Sequence, residues 1–213
     1  TVVFDGERYA LHLLPSGILS PSKTCVIGNG VVVDPVQLLS EIDSITERGI
    51  SIEPDRLLIS DRAHVVMPYH KEHDAALETA LAGAADKGDE NLSIGTTRRG
   101  IGPTYADKVH RSLAIRMGDL LDEQVLRRRL DIVCAIRSRE LEALGVDVPA
   151  LNPEALAAEY HALGVRLAPH ITDTVYALHD AVNAGRRLLF EGANACLLDI
   201  DHGTFPYVTS SNC

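Results

Sequence analysis

Helical runs stopped by glycine alternate with short β-branched runs along this chain, and that alternation constrains the fold more than any composition figure. After Asp34-Pro35, an N-cap followed by proline at the first helical position, Leu38, Ile42 and Ile45 recur at helical spacing until Gly49. Arg56–Ser60 then reads as a buried strand, and Tyr69–Leu81 as a helix with Ala76, Leu77, Ala80 and Leu81 on its apolar face. Arg116–Asp119 leads into a long helix from about Leu120 to Leu144, with Leu126, Leu130, Val133 and Leu141 turned inward and Gly145 at its end. Asn152-Pro153 caps a helix over Glu154–Leu163 that Gly164 closes. A further helix is predicted over Pro169–Ala184, with Ile171, Val175, Leu178 and Val182 inward and Gly185 after it. Arg187–Glu191, RLLFE, is an apolar run of strand length, the pattern of a parallel strand covered on both faces. Near the start, Val2–Phe4 and Tyr9–Leu14 flank Asp5-Gly6, the dipeptide of a tight hairpin. Thr24–Ile27 and Val31–Val33 are short strand-like runs around Gly28-Asn29-Gly30, which reads equally as a strand end open to a ligand or as an ordinary turn. Helices set between strands predict an α/β protein with a mostly parallel central sheet flanked by helices.

The length, 213 residues, suffices for one large domain or two small ones, and a single α/β domain over residues 1–213 is the expectation. A net charge of −10 argues against nucleic acid or an anionic membrane surface as the main partner. No apolar run approaches the roughly 20 residues that span a bilayer. Cys25, Cys134, Cys196 and Cys213 are far apart, with no CxxC pair, which predicts reduced thiols in a cytoplasmic protein.

Against that acidic background, Ser93–Arg111 (SIGTTRRGIGPTYADKVHR) is locally inverted. It combines Gly95, Gly100 and Gly102 with the hydroxyls of Thr96, Thr97 and Thr104 and the cations Arg98, Arg99, Lys108 and Arg111. Glycines let backbone N–H groups approach an anion, and threonine hydroxyls add donors suited to phosphate oxygens. The same letters also fit a surface loop leading into a solvated basic helix, and the G-x-x-x-x-G-K-[ST] spacing of a Walker A loop is absent. Three other clusters carry competing readings. His70, His73 and Asp74 sit at metal-ligand spacing, though a solvated helix face is the default. Arg127–Arg129 is surrounded by Asp122, Glu123 and Asp131 and reads as a solvated face. Asp199, Asp201 and His202 offer acid/base groups or a magnesium site, or else cap and brace a tight turn.

Four blocks carry a family resemblance. GTTRRGIGPTYADK (Gly95–Lys108) and FEGANACLLDIDHGTFPYVTSSN (Phe190–Asn212) resemble signatures of adenylosuccinate synthetase, and LHLLPSGIL (Leu11–Leu19) and VIGNGVVVDP (Val26–Pro35) resemble further blocks in the same order. The Asn194 form of EGANA and the SSNC ending resemble eukaryotic-type members. The resemblance implies a P-loop-NTPase-like fold and GTP-dependent ligation of IMP and L-aspartate with Mg²⁺, through a 6-phosphoryl-IMP intermediate. It also implies that Thr97 holds the IMP 5′-phosphate, that Asn194 and Thr209 contact the bound nucleotide, and that Arg111 reaches the IMP phosphate of the other subunit in a homodimer. Asn29, Arg99 and Asp201 are implied as support. Arg98 stands where members vary between Gly and Lys, and no role is implied for it or for His202.

The family's G-D-E-G-K-G-K loop, with its catalytic aspartate and phosphate-loop strand, and its N-A-G-H segment, with the catalytic histidine, are expected before Thr1. The aspartate-binding loop and the guanine-recognition motif are expected after Cys213. No catalytic residue and no Mg²⁺ ligand is therefore expected among these residues, and the chain alone is expected to be inactive. The alternative expectation is a non-catalytic IMP-phosphate-binding or dimerisation module derived from that enzyme.

Overall fold

A computed structural model describes residues 1–85, 93–146 and 151–212; Cys213 lies outside the described residues. In chain order the elements are β1 (Val2–Phe4), β2 (Glu7–Tyr9), β3 (Cys25–Ile27), β4 (Val32–Val33), α1 (Pro35–Glu47), β5 (Leu57–Ser60), β6 (His64–Val65) and α2 (Pro68–Ala85). They continue with α3 (Ile101–His110), α4 (Glu123–Ala143), α5 (Pro153–Leu167), β7 (Ile171–Thr172) and α6 (Thr174–Asn183). Short 3₁₀ turns cover Ser16–Leu19, Met117–Leu121 and Cys196–Leu198. The chain forms two compact units, the first from residues 1–65, 116–123 and 158–191, the second from 66–115, 124–157 and 192–213.

The first unit carries the sheets. β1 and β2 pair antiparallel, Val2 opposite Tyr9 and Phe4 opposite Glu7. Asp5 (φ 49°) and Gly6 (φ 81°) both take the left-handed conformation that a tight hairpin with right-handed strand twist demands. The other strand pairs among the described residues are parallel, as the alternation predicts: β3 beside β5, β5 beside β7, and β4 beside β6, with one isolated antiparallel bridge between His64 and Arg116. Leu38, Leu57, Ile59, Val65, Met117 and Leu120 are fully buried in this unit. Asp34 caps α1 by accepting from the N–H groups of Val36 (3.1 Å) and Gln37 (3.3 Å).

Four expectations are corrected in this unit. The second hairpin strand ends at Tyr9, because the chain beyond it serves another partner: the N–H groups of His12, Leu13 and Leu14 donate to the buried Glu41 carboxylate. Gly164 does not close α5, which runs on to Leu167; a Cβ there would lie 2.5 Å from the Leu120 carbonyl oxygen, so close packing is what requires the glycine. The helix predicted from Pro169 starts only at Thr174, where Asp173 caps it by accepting from Val175 N–H (3.0 Å), while Ile171 belongs to β7 and Val182 faces solvent. Arg187–Glu191 is not a strand. Leu189 and Phe190 are 92% and 85% exposed, and no described strand lies beside them to satisfy their backbone groups.

The second unit is helical. α3 packs on α2, and α4 buries Leu126, Leu130, Val133 and Leu141, the stripe its sequence predicts. Asn152 caps α5 through the N–H groups of Glu154 (3.0 Å) and Ala155 (3.1 Å). Among the described residues no helix is long and apolar enough to cross a membrane, and Cys25, Cys134 and Cys196 are free thiols.

Candidate functional site

The organising feature of the second unit is a polar stripe on α2. His70, Asp74 and Glu78 recur every four residues, so they share one helix face. Their exposures are 1%, 8% and 6%, which corrects the expectation of a solvated face; of the apolar face expected on this helix, Ala76 is buried but Leu77 is 41% exposed. No group of three or more potential metal-ligating side chains occurs among the described residues, His70, His73 and Asp74 included.

Each member of the stripe grips a different part of the glycine–threonine stretch. His70 Nδ1 accepts the Met67 N–H (2.9 Å), which leaves the ring proton on Nε2, donated to Asp107 Oδ2 (2.9 Å). The other Asp107 oxygen accepts from the buried Arg137, which also pairs with Glu140. Burial pushes the His70 pKa down, with the Asp107 hydrogen bond and charge opposing. Thr104 of α3 donates its hydroxyl proton to Gly100 O (2.7 Å) and lies 3.0 Å from His70 Nδ1. Asp74 Oδ2 accepts the Gly100 N–H (3.0 Å). Gly100 has φ 74°, and a Cβ on it would meet the His70 backbone at 2.8 Å, so no other residue fits.

Glu78 holds the opposite end of the loop. Its Oε1 accepts from the Ser93 hydroxyl (2.6 Å) and the Gly95 N–H (2.5 Å). The Ser93 hydroxyl, followed by the N–H groups of Gly95, Thr96 and Ile94, draws its pKa below the ordinary carboxylate value against the effect of burial. The loop amides expected to receive an external anion are thus engaged by a carboxylate of the protein itself. Thr97, Arg98 and Arg99 are left exposed between the two anchors. Arg98 has φ 55°, the left-handed region that favours glycine.

The two ends of α3 carry two of the residues singled out from sequence. Thr97 precedes the Gly100 cap, and Arg111 follows the last helical residue. Arg111 has φ 64° and ψ −53°, and the Ser112 N–H donates across it to His110 O (2.7 Å). This is a γ-turn of the rare, strained kind. Against α3 lies the segment bearing Thr209: a Cβ on Gly102 would touch Ser210 Oγ at 3.1 Å, and Tyr105 hydrogen-bonds Ser211. Thr209 is half-buried, its N–H donating to Leu198 O (2.8 Å). Asn194 is half-buried in the irregular segment before the 196–198 turn, and no described contact joins it to Thr97, Arg111 or Thr209.

Asp199 accepts from the N–H groups of Asp201 (2.9 Å) and His202 (3.0 Å), and Asn212 Nδ2 donates to Asp201 (2.7 Å). Of the readings open for that cluster, capping and bracing a turn is the one observed. Clefts along α1 in the first unit, lined by residues such as Val36, Asp43 and Arg166, include none of these candidates. Glu78, Asp107 and Arg137 are the residues that sequence reasoning missed. Spacing held a signal for two of them: Arg137 falls on the Leu130, Val133, Leu141 stripe of α4, and Glu78 one turn beyond Asp74.

By fold the protein is of the α/β class, with parallel strand pairing flanked by helices. The adenylosuccinate synthetase family model matches residues 1–213, and the chain belongs to that family. It is 49% identical over 217 residues to an adenylosuccinate synthetase of Myxococcus xanthus, covering 100% of this chain and 48% of that protein. It is 47% identical over 212 residues to the one from Bacillus cytotoxicus, covering 100% of this chain and 47% of that protein. A structure described as fully ligated adenylosuccinate synthetase from Plasmodium falciparum superposes with a TM-score of 0.82 at 32% identity, covering 99% of this chain and 46% of that one. The chain thus spans about half the length of the relatives it matches.

Proposed function

We propose that a full-length protein containing this chain is a cytoplasmic, homodimeric GTP-dependent ligase joining IMP and L-aspartate into adenylosuccinate, and that residues 1–213 act as one α/β domain supplying its grip on IMP. The family match along the whole chain carries this reading. In the reaction, GTP phosphorylates the IMP 6-oxygen, a poor leaving group made a good one, and the aspartate amine then displaces phosphate. Fixed donors around the phosphates serve positioning and charge stabilisation. Thr97 donates its hydroxyl to the IMP 5′-phosphate, Arg99 supports it, Asn194 and Thr209 contact the nucleotide, and Arg111 of the partner subunit adds a charged grip. The exposure of Thr97–Arg99 between two buried anchors supports the first assignment, and the strained backbone at Arg111 supports the last. Asp199 and Asp201 accept hydrogen bonds within their turn, and we propose that the Mg²⁺ ligands lie outside residues 1–213.

Steady-state kinetics of full-length Thr97→Ala test the reading. Loss of a charge-assisted hydrogen bond of about 1.5–3 kcal/mol raises the KM for IMP by roughly ten-fold or more and leaves the KM for GTP unchanged. An unchanged KM for IMP with a raised KM for GTP reverses the assignment.

A further inference from the structure

Glu78 lies on a helix, outside the Gly/Thr-rich stretch, and belongs to none of the four blocks that carry the family resemblance. It is nonetheless the acceptor around which that stretch is wrapped. Two donors, the Ser93 hydroxyl (2.6 Å) and the Gly95 N–H (2.5 Å), close on one carboxylate that is 6% exposed, and the adjacent N–H groups of Ile94 and Thr96 help to draw its pKa down. Such a group of N–H donors ordinarily receives a phosphate.

Two observations argue that an incoming anion does not replace Glu78. Its carboxylate is 6% exposed, and its backbone is fixed in the middle of α2. Stripped of its donors it would remain buried and charged, the costliest state for a carboxylate. One turn earlier Asp74 holds Gly100, so the loop is pinned on both sides of Thr97, Arg98 and Arg99. A short segment fixed at both ends leaves little freedom for the side chain at its start.

We propose that Glu78 is a positioning residue for IMP: by engaging the Ser93 and Gly95 donors from within the protein, it presents the Thr97 hydroxyl to the 5′-phosphate. This rests on the assignment of Thr97 in the proposed function. The loop's backbone amides then hold the loop, and the phosphate is met by the Thr97 side chain beside Arg99.

The test is a double-mutant cycle in the full-length enzyme, using Glu78→Ala and Glu78→Gln with and without Thr97→Ala. Misplacing the hydroxyl by Glu78→Ala raises the KM for IMP about ten-fold, with kcat and the KM for GTP each changed by less than about two-fold. Glu78→Gln, which keeps Oε1 as an acceptor but loses the charge, falls between that and wild type. In the Thr97→Ala background either substitution adds less than about two-fold, since the group it positions is gone. If Glu78→Ala does not fold, Glu78→Gln and Ser93→Ala, which removes one donor, give the same comparison. An unchanged KM for IMP, effects that multiply independently with Thr97→Ala, or a parallel loss in kcat and in the KM for GTP each overturn the proposal. If Thr97→Ala alone leaves the KM for IMP unchanged, both the proposal and the Thr97 assignment fall; if Thr97→Ala acts and the Glu78 variants do not, the proposal alone falls.

Discussion

His70 is a histidine held neutral from several sides. The Met67 N–H requires a lone pair on Nδ1, and burial disfavours the cation; the nearby Arg137 and His73 act in the same direction, against the hydrogen bond and charge of Asp107. Its folded-state pKa lies below the ordinary value of 6.5, so as pH falls the unfolded chain takes up the proton first. The stability His70 contributes is complete above the unfolded value and is lost as pH falls from there through the lower folded value. Urea unfolding of the full-length protein should therefore weaken between about pH 7 and about pH 5, with a shallower slope in His70→Gln. Equal slopes would contradict the buried, neutral assignment. In sequence this residue looks like half of a metal pair or a solvated position, because its partners Asp107 and Arg137 come from α3 and α4, and local periodicity carries no information about them. Thr97 and Arg111 were legible as candidates from motif alone. The strain at Arg111 and the engagement of the loop amides were visible only in three dimensions.

Caps were legible at the scale of elements, and glycine stops less so. Asp34-Pro35 and Asn152-Pro153 marked their helices correctly, since a side-chain acceptor followed by proline has few other uses. Gly164 misled because a helix stop and a close contact call for the same residue. The two meanings predict opposite outcomes for Gly164→Ala. Helix propensity alone favours alanine by about 1 kcal/mol. A Cβ 2.5 Å from Leu120 O and 2.6 Å from its Cβ meets a neighbouring backbone, and overpacking of that kind costs about 1–3 kcal/mol. Chemical denaturation should show Gly164→Ala less stable than wild type; a more stable variant would contradict the contact. RLLFE misled for a different reason, since an apolar run shows what a strand would bury but not whether a neighbour is there to pair with it. A recurrent device was not legible at all: buried helix carboxylates that hold a neighbouring segment by its backbone. Glu41 holds His12–Leu14 within LHLLPSGIL, and Glu78 holds Gly95 at the start of GTTRRG, so two of the blocks that carry the family resemblance are shaped by acids outside them.

For the whole molecule, parallel strand pairing and family membership were readable from alternation and from four ordered blocks, and the fold and the family match agree with both. The central claim is that Thr97 and Arg111, at opposite ends of α3, serve one IMP phosphate by way of two subunits. In a two-fold dimer that arrangement is reciprocal, each site lending one Arg111 and borrowing another. Arginine suits the role because its rigid fork grips phosphate at two points and stays charged. The direct measurement mixes full-length Arg111→Leu with full-length Thr97→Ala, each impaired alone, and follows adenylosuccinate formation at low IMP. Each hybrid dimer then holds one site with both defects and one with neither, so random exchange restores about one quarter of wild-type activity. Subunits that demonstrably exchange without any return of activity would contradict the shared site, and Arg111 would serve its own subunit or none.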